Sequence, residues 1–336
     1  MPASTQIELI DLRHFNARQL RPLLMEEATA WHQRLRWDYA SSTELLLGYL
    51  DGQILPGYVA LDRGVPVGFS FCVYENSKAV IGDIYVAASM PSRIAISQTL
   101  TRHLLEVLVA SPDIDRIEAQ LLLYDLGTIS TVFAEFGFRT YPRLFLERDF
   151  APPSPEVTRI SMTNADFAGL ELRPWSPEAY EPSAELIRRA YTGHLDSDIN
   201  DQYQTRDGCL RFLHNIIRFP GCGVFDADSS WTLRDRSTGT LAAILLCSRV
   251  DADVAHITQL CLAPSLRARG AGRNLLNYAM NWLALRGYRA ITLTVSQQNV
   301  PAVRLYRAAG FTTRLNFEAL VFDKVSRLSL DEPAAR

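Results

Sequence analysis

AHITQLCLAPSLRARGAGRNLLNYAMNWLAL, residues Ala255 to Leu285, changes its hydrophobic period in mid-course. Ala255 to Ala263 is short, apolar and partly β-branched, and Pro264 stops it; from Asn274 to Leu285, Leu275, Leu276, Ala279, Met280 and Leu283 recur at helical spacing. The reading is strand, tight loop, helix. A helix start presents unpaired N–H groups and the positive end of its dipole, and glycines at 270 and 272 let the backbone approach an anion closely. A pyrophosphate suits such a mouth, although glycine-bearing strand-to-helix turns also serve packing alone in many folds.

A second cluster, Asn299-Val-Pro-Ala302-Val-Arg-Leu305-Tyr306-Arg-Ala-Ala-Gly310-Phe311, follows the strand-like AITLTVS of Ala290 to Ser296. Pro301 suits a first helical turn, and Gly310 stands where a left-handed residue ends the helix. The combination R-x-x-G-x-G/A, then N-x-x-A-x-x-L-Y, then G-F resembles the GNAT acyltransferase superfamily, over about Ala255 to Phe322.

That resemblance implies acetyl-CoA as co-substrate. Leu260, Cys261 and Leu262 would expose backbone groups to the pantetheine arm and thioester, and Arg267, Ala268, Arg269, Gly270, Ala271, Gly272 and Arg273 would surround the pyrophosphate. Asn299, with Leu305 nearby, would hold the pantetheine or order the loop beside it. Tyr306 would protonate the departing thiolate. Acyl transfer from a thioester to an amine builds negative charge on the carbonyl oxygen and then on sulfur, so an aimed N–H and a nearby O–H donor both lower the barrier. Read without the family, Tyr306 is an amphipathic core tyrosine.

Composition agrees with a folded enzyme. The chain has 336 residues, 48% hydrophobic and 21% charged, with a formal net charge of -3, which argues against disorder and against a basic nucleic-acid surface. Apolar runs such as Leu241 to Cys247 fall far short of the about 20 residues of a membrane span, and the amino terminus lacks the pattern of a secretory signal. The cytoplasm is the expected compartment, with no nucleic acid and no membrane as partner. The five cysteines show neither C-x-x-C pairs nor zinc-ligand spacing, so they read as buried thiols, Cys261 included, and no metal is expected.

The chain is twice the length of one such domain because the succession of elements repeats. Ile84-Tyr-Val86-Ala87 pairs with Leu260-Cys-Leu262-Ala263 at an offset of 176, and Phe133 to Phe138 pairs with Tyr306 to Phe311 at 173. Two α/β (α+β) domains are expected, each a mixed, mostly antiparallel sheet flanked by helices. A degenerate domain would fill 1–150, a Pro-rich linker 151–170, and a catalytic domain 171–328. The tandem layout resembles that of the mycothiol synthases, by layout alone.

The front copy departs where chemistry needs it. Met90 to Gln98 replaces the glycine loop without a glycine, Phe133 stands at the position of Tyr306, and Leu126 at that of Asn299. Phenylalanine cannot donate a proton, so the front domain reads as non-catalytic.

For the acceptor, the resemblance points to the loop between the first two helices of the rear domain. Its His194, Asp196, Asp198 and Tyr203 are the candidate substrate-binding residues, and its carboxylates would attract a protonated amine on a small molecule or peptide. H-x-D-x-D-x-N lacks a defined coordination pattern for a metal. A general base is also required, with His256 first and Glu318 or the acidic loop as fallbacks. Strict alternation would put residues 256, 258, 260 and 262 on one face. The expected activity is acetyl-CoA-dependent N-acetyl transfer; a non-catalytic acyl-CoA-binding or sensing protein is the alternative.

Overall fold

The computed structural model describes residues 7–150, 167, 169–219 and 221–324. In the front half the elements run β1 (Ile7–Asp11), α1 (Ala17–Leu35), α2 (Ala40–Asp51), β2 (Gly57–Asp62), β3 (Val65–Glu75), β4 (Lys78–Val86), α3 (Arg93–Ala110), β5 (Arg116–Gln120), α4 (Ser130–Glu135) and β6 (Arg139–Asp149). The rear half runs β7 (Leu170–Pro174), α5 (Tyr180–Tyr191), α6 (Asp196–Ile199), α7 (Arg206–Arg218), β8 (Val224–Phe225), β9 (Trp231–Asp235), β10 (Leu241–Asp251) and β11 (Val254–Leu262). It ends with α8 (Ala271–Leu285), β12 (Ala290–Ser296), α9 (Val300–Ala308) and β13 (Thr312–Asp323). The repeat survives in three dimensions: β4 and β11 begin 176 residues apart (254 minus 78), β6 and β13 173 apart (312 minus 139).

The described chain divides into two compact units, and the division does not follow chain order. The first holds residues 7–34, 39–142 and 316–324; the second holds 35–38, 143–150, 167, 169–219 and 221–315. A boundary at 150, drawn from the sequence, therefore misplaces the last strand of each half. From Arg143 onward β6 pairs antiparallel with β12, while β13 pairs antiparallel with β5 from Ala319 onward. The physical cause is that each parallel pair leaves an open edge, on β5 and on β12, and an apolar strand satisfies it. Leu144, Phe145 and Leu146 are buried on β6, as are Leu320, Val321 and Phe322 on β13. Of the Pro-rich linker expected at 151–170, residues 151–166 and 168 lie outside the described residues.

Within the first unit β1, β2, β3 and β4 pair antiparallel in sequence and β4 pairs parallel with β5. The second repeats this with β7, β9, β10 and β11 antiparallel and β11 parallel to β12. Each sheet is thus mixed and mostly antiparallel, with helices on both faces. In the second unit Leu275, Leu276, Ala279 and Leu283 of α8 pack on Ala255, Ile257 and Ile291. On the opposite face Ala184, Ile187 and Ala190 of α5 and Leu213 of α7 meet Ile244, Leu246 and Cys261. Apolar residues at helical and at two-residue spacing thus produce three layers. Among the described residues no helix is long and apolar enough to cross a membrane.

Candidate active site

Thr258 decides the geometry of the second unit. The β10–β11 register jumps from Leu246↔Gln259 to Cys247↔Ile257, so Thr258 has no partner of its own and forms a β-bulge. The parallel pairing of β11 with β12 ends at this point, at Ile257↔Leu293, although both strands continue, to Leu262 and Ser296. Beyond the bulge the two strands splay. The wedge leaves the β12-facing backbone of residues 258–262 without a ladder partner, ready to hydrogen-bond an extended amide-bearing chain.

At the mouth of the wedge stands α8, which begins one turn earlier than the periodicity predicts. Gly270 is its N-cap at φ 83°, Ala268 is also left-handed at φ 61°, and Ala271 is the first helical residue. The glycine is required by that φ, and a Cβ built on it would meet nothing within 4 Å, so the surface above it is open. The first-turn amides of Ala271, Gly272 and Arg273 have no intrahelical acceptor, and no side chain caps them. Gly272 serves packing instead: a Cβ there would lie 3.3 Å from Leu262 and 3.9 Å from Leu305. Arg269 and Arg273 are exposed at the mouth, whereas the Arg267 guanidinium donates to the carbonyl of Ala190 and ties the loop to the end of α5. These features fit a diphosphate on a pantetheine-like arm: a bare, dipole-assisted helix start, an open glycine, and an unpaired strand edge alongside.

Tyr306, on α9, is 8% exposed and packs edge-on against Phe311 with ring centroids 5.8 Å apart. Burial, followed by the negative charge of Asp196, raises its phenol well above the ordinary tyrosine range, so it stays a proton donor. Asn299 is the N-cap of α9; its Oδ1 accepts from the amide of Ala302 at 3.3 Å. The N-x-x-A spacing is therefore a capping arrangement as much as a ligand signal. At the other end of α9, the Arg148 guanidinium of β6 donates to the carbonyl of Ala309 and approaches Met280 Sδ at 3.3 Å.

The acidic loop converges on the same place. Asp196 accepts from Ser296 Oγ at the end of β12, and Arg143 Nη1 lies 3.8 Å from its Oδ1. His194 Nδ1 accepts the Asp196 amide at 3.1 Å. Tyr203 stacks on Tyr191 at 4.3 Å, and Tyr191 Oη accepts from Gln259 Nε2 at 3.2 Å. Both phenols are pushed upward by burial, with Asp196 adding to the shift. Asp198 is exposed on the outer side of the loop. Among the described residues no group of three or more His, Cys, Asp and Glu is arranged to hold a metal ion.

Two of the expected bases lie elsewhere. The bulge breaks the alternation, so His256 falls on the face of Gln259 and Cys261 rather than that of Leu260 and Leu262. Its ring lies 4.9 Å from Trp37 and 5.9 Å from Phe145, with Nδ1 2.9 Å from Thr292 Oγ1. Burial lowers its pKa to about 3, so the imidazole is neutral throughout the working range. Glu318 belongs to the first unit, where its carboxylate accepts the Gly127 amide at 3.1 Å. Cys261 is a buried thiol pushed up to about 12, inert as a nucleophile. Arg143, Arg148, Ser296, Tyr191 and Gln259 were not among the residues read from the sequence; only Tyr191, an aromatic at the end of a predicted helix, carried a local signal.

Residues 192–311 match the model of the acetyltransferase (GNAT) family. Mycothiol acetyltransferase of Beutenbergia cavernae is 34% identical over 192 residues, which cover 56% of this chain and 61% of that protein, so the chain spans about three fifths of the relative's length. Among solved structures, a GCN5-related N-acetyltransferase from Sphaerobacter thermophilus aligns with a TM-score of 0.64 at 14% identity, covering 95% of this chain and 96% of that one. A tandem GNAT protein from the clavulanic acid biosynthesis pathway aligns with a TM-score of 0.58 at 14% identity, over 98% and 100% of the two chains. Likeness at such identities is likeness of fold, and it extends over both halves of the chain.

Proposed function

We propose, from the match of residues 192–311 to the acetyltransferase (GNAT) family model, that the second unit transfers an acetyl group from acetyl-CoA directly to an amine of a small molecule or peptide. The observation that carries this reading is the meeting of an uncapped α8 start, a splayed β11 edge and a buried, protonated Tyr306 beside Asp196. Bound acetyl-CoA supplies an activated thioester carbonyl. Amides of Ala271, Gly272 and Arg273 hold the diphosphate, with Arg269 and Arg273 adding charge at the rim. The free edge from Thr258 to Leu262 holds the pantetheine amides, and Leu262 and Leu305 close over Gly272 behind them. Tyr306 gives its phenolic proton to the departing thiolate. Asp196, with His194 and Tyr203 around it, draws the acceptor's ammonium into the wedge, where it sheds a proton to water before attack.

Absence of the glycine loop and of the tyrosine supports a first unit that takes no part in the chemistry. The cytoplasm, where acetyl-CoA is made available, is the compartment this reading assumes. The test is CoA-thiol release from acetyl-CoA with a panel of polyamines, amino acids and aminosugars, run alongside calorimetric binding of acetyl-CoA. Amine-dependent release with at least one class supports transfer. Tight acetyl-CoA binding without amine-dependent release would leave an acyl-CoA-binding protein in its place.

A further inference from the structure

β6 enters the second unit at Arg143, the residue after Pro142, with which the first unit's portion of the strand ends. In the ladder with β12, Arg143 stands directly opposite Ser296. Both side chains reach the same carboxylate: Ser296 donates to Asp196 Oδ1, and Arg143 Nη1 lies 3.8 Å from that oxygen. Arg143 Nη2 is 3.4 Å from Thr294 Oγ1, while its Nε is buried without a hydrogen-bond partner. The side chain is 12% exposed, as closed off as Asp196 at 13%. A guanidinium so poorly served by neutral acceptors has the charge of Asp196 as its compensation, and Asp196 has Arg143 as its own.

We infer that Arg143 is a positioning residue for the acceptor site: with Ser296 it fixes the Asp196 carboxylate at the end of β12, so that Asp196 binds the ammonium of the incoming amine. This rests on the acetyl-transfer reading above. It makes the last strand of the front half part of the second unit's working site, although Arg143 touches neither substrate. Four titratable groups besides Arg143 face Asp196: His194 on its own loop, Tyr191 on α5, Tyr203 before α7 and Tyr306 on α9. Three of these are phenols held protonated, and the His194 nitrogen nearest the carboxylate already accepts the Asp196 amide. Arg143 is therefore the fixed positive charge of the cluster.

The experiment uses the full chain and the best amine found in the release assay. In Arg143→Met the KM for the amine should rise about tenfold while kcat falls less than about threefold, because the Asp196 carboxylate loses the guanidinium that fixes it. Arg143→Lys should restore the KM for the amine to near the wild-type value. Acetyl-CoA binding should stay within about twofold in both variants, the expected outcome for a group remote from the helix mouth. The carboxyl carbon resonance of Asp196, followed by NMR of labelled aspartate, should shift in Arg143→Met and much less in Arg143→Lys. An unchanged KM for the amine and an unchanged Asp196 resonance would overturn the inference while leaving acetyl transfer standing. A wild-type protein that releases no CoA with any amine would instead overturn the reading of function, and the NMR comparison would still decide the Arg143–Asp196 contact. Should Arg143→Met fail to fold, Arg143→Lys and Arg143→Gln provide the same comparison of charge with and without a cation.

Discussion

The two units share the device that opens a wedge and differ in everything that would use it. In the first, the β3–β4 register jumps from Phe71↔Asp83 to Cys72↔Ile81, so Gly82 is bulged, 176 residues before Thr258. Parallel pairing with β5 ends at Ile81↔Ala119, as it ends at Ile257↔Leu293 in the second. An open pocket of about 320 Å³ lies there, with Ile84, Tyr85, Val86 and Tyr124 in its wall. Yet α3 starts at Arg93 with no left-handed glycine before it, and Phe133 lies where Tyr306 lies, fully buried and edge-on to Phe138 at 5.0 Å. Duplicated backbone geometry has outlasted the side chains. A bulge shapes a strand for either purpose; chemistry depends on a handful of groups at its rim.

The comparison can be broken first at Tyr306. Tyr306→Phe makes the second unit resemble the first, and kcat should fall by roughly 100-fold, the scale of a lost general acid. Acetyl-CoA affinity should stay within about threefold, since the role proposed for the phenol is proton transfer and not the binding of the diphosphate. Steady-state kinetics with calorimetric binding separates the two, and an unchanged kcat would remove Tyr306 from the reaction.

A smaller effect is expected at the helix mouth. Gly270→Val forces a β-branched residue to φ 83° and fills the open surface above α8. Acetyl-CoA binding should weaken about tenfold, or about 1.4 kcal/mol. Wild-type affinity in this variant would show that the diphosphate is held elsewhere.

These residues also mark how far the amino-acid sequence reaches. Local pattern located the strands, the two motif-bearing helices and the left-handed Gly310, since each follows from spacing and backbone preference within a dozen residues. It misplaced the start of α8 by a turn, because the run Ala271 to Arg273 has the composition of a loop while Gly270 already supplies the N-cap. His256 was misread for a reason no periodicity discloses: a single extra residue, Thr258, exchanges the two faces of β11. Arg143 and Arg148 were invisible because their roles depend on which edge β6 completes, a choice made by tertiary packing and not by neighbours in the chain.

In the other direction, Phe133→Tyr restores the motif residue to the first unit. A hydroxyl at a fully buried position among Phe138 and other apolar side chains has no partner, and the variant should lose about 1–2 kcal/mol of stability. It should gain no acetyl-transfer activity, measured in a Tyr306→Phe background. Turnover there would show that the first wedge needs only its phenol.

The smallest effect concerns a polar pair with no counterpart in the second unit. Asp83 occupies the position that Gln259 holds 176 residues later, where the amide donates to Tyr191. In the first unit Asp83 and Glu27 are buried side by side, and burial raises both, Asp83 to about 6 and Glu27 well above the ordinary glutamate range. Raised carboxyls favour the folded state while protonated. Their contribution is complete below about pH 4, the unfolded value, and is lost as pH climbs through 6 and beyond. Glu27→Gln removes one ionisation and leaves an amide that donates to Asp83 at every pH. Between pH 5 and 8 the melting temperature of wild type should therefore fall more steeply than that of Glu27→Gln, read as the difference between their calorimetric profiles so that titrations common to both cancel. Parallel profiles would mean that the pair is not the pH-sensitive element separating the two units, and that Asp83 is as inert toward protons as the glutamine at its equivalent position.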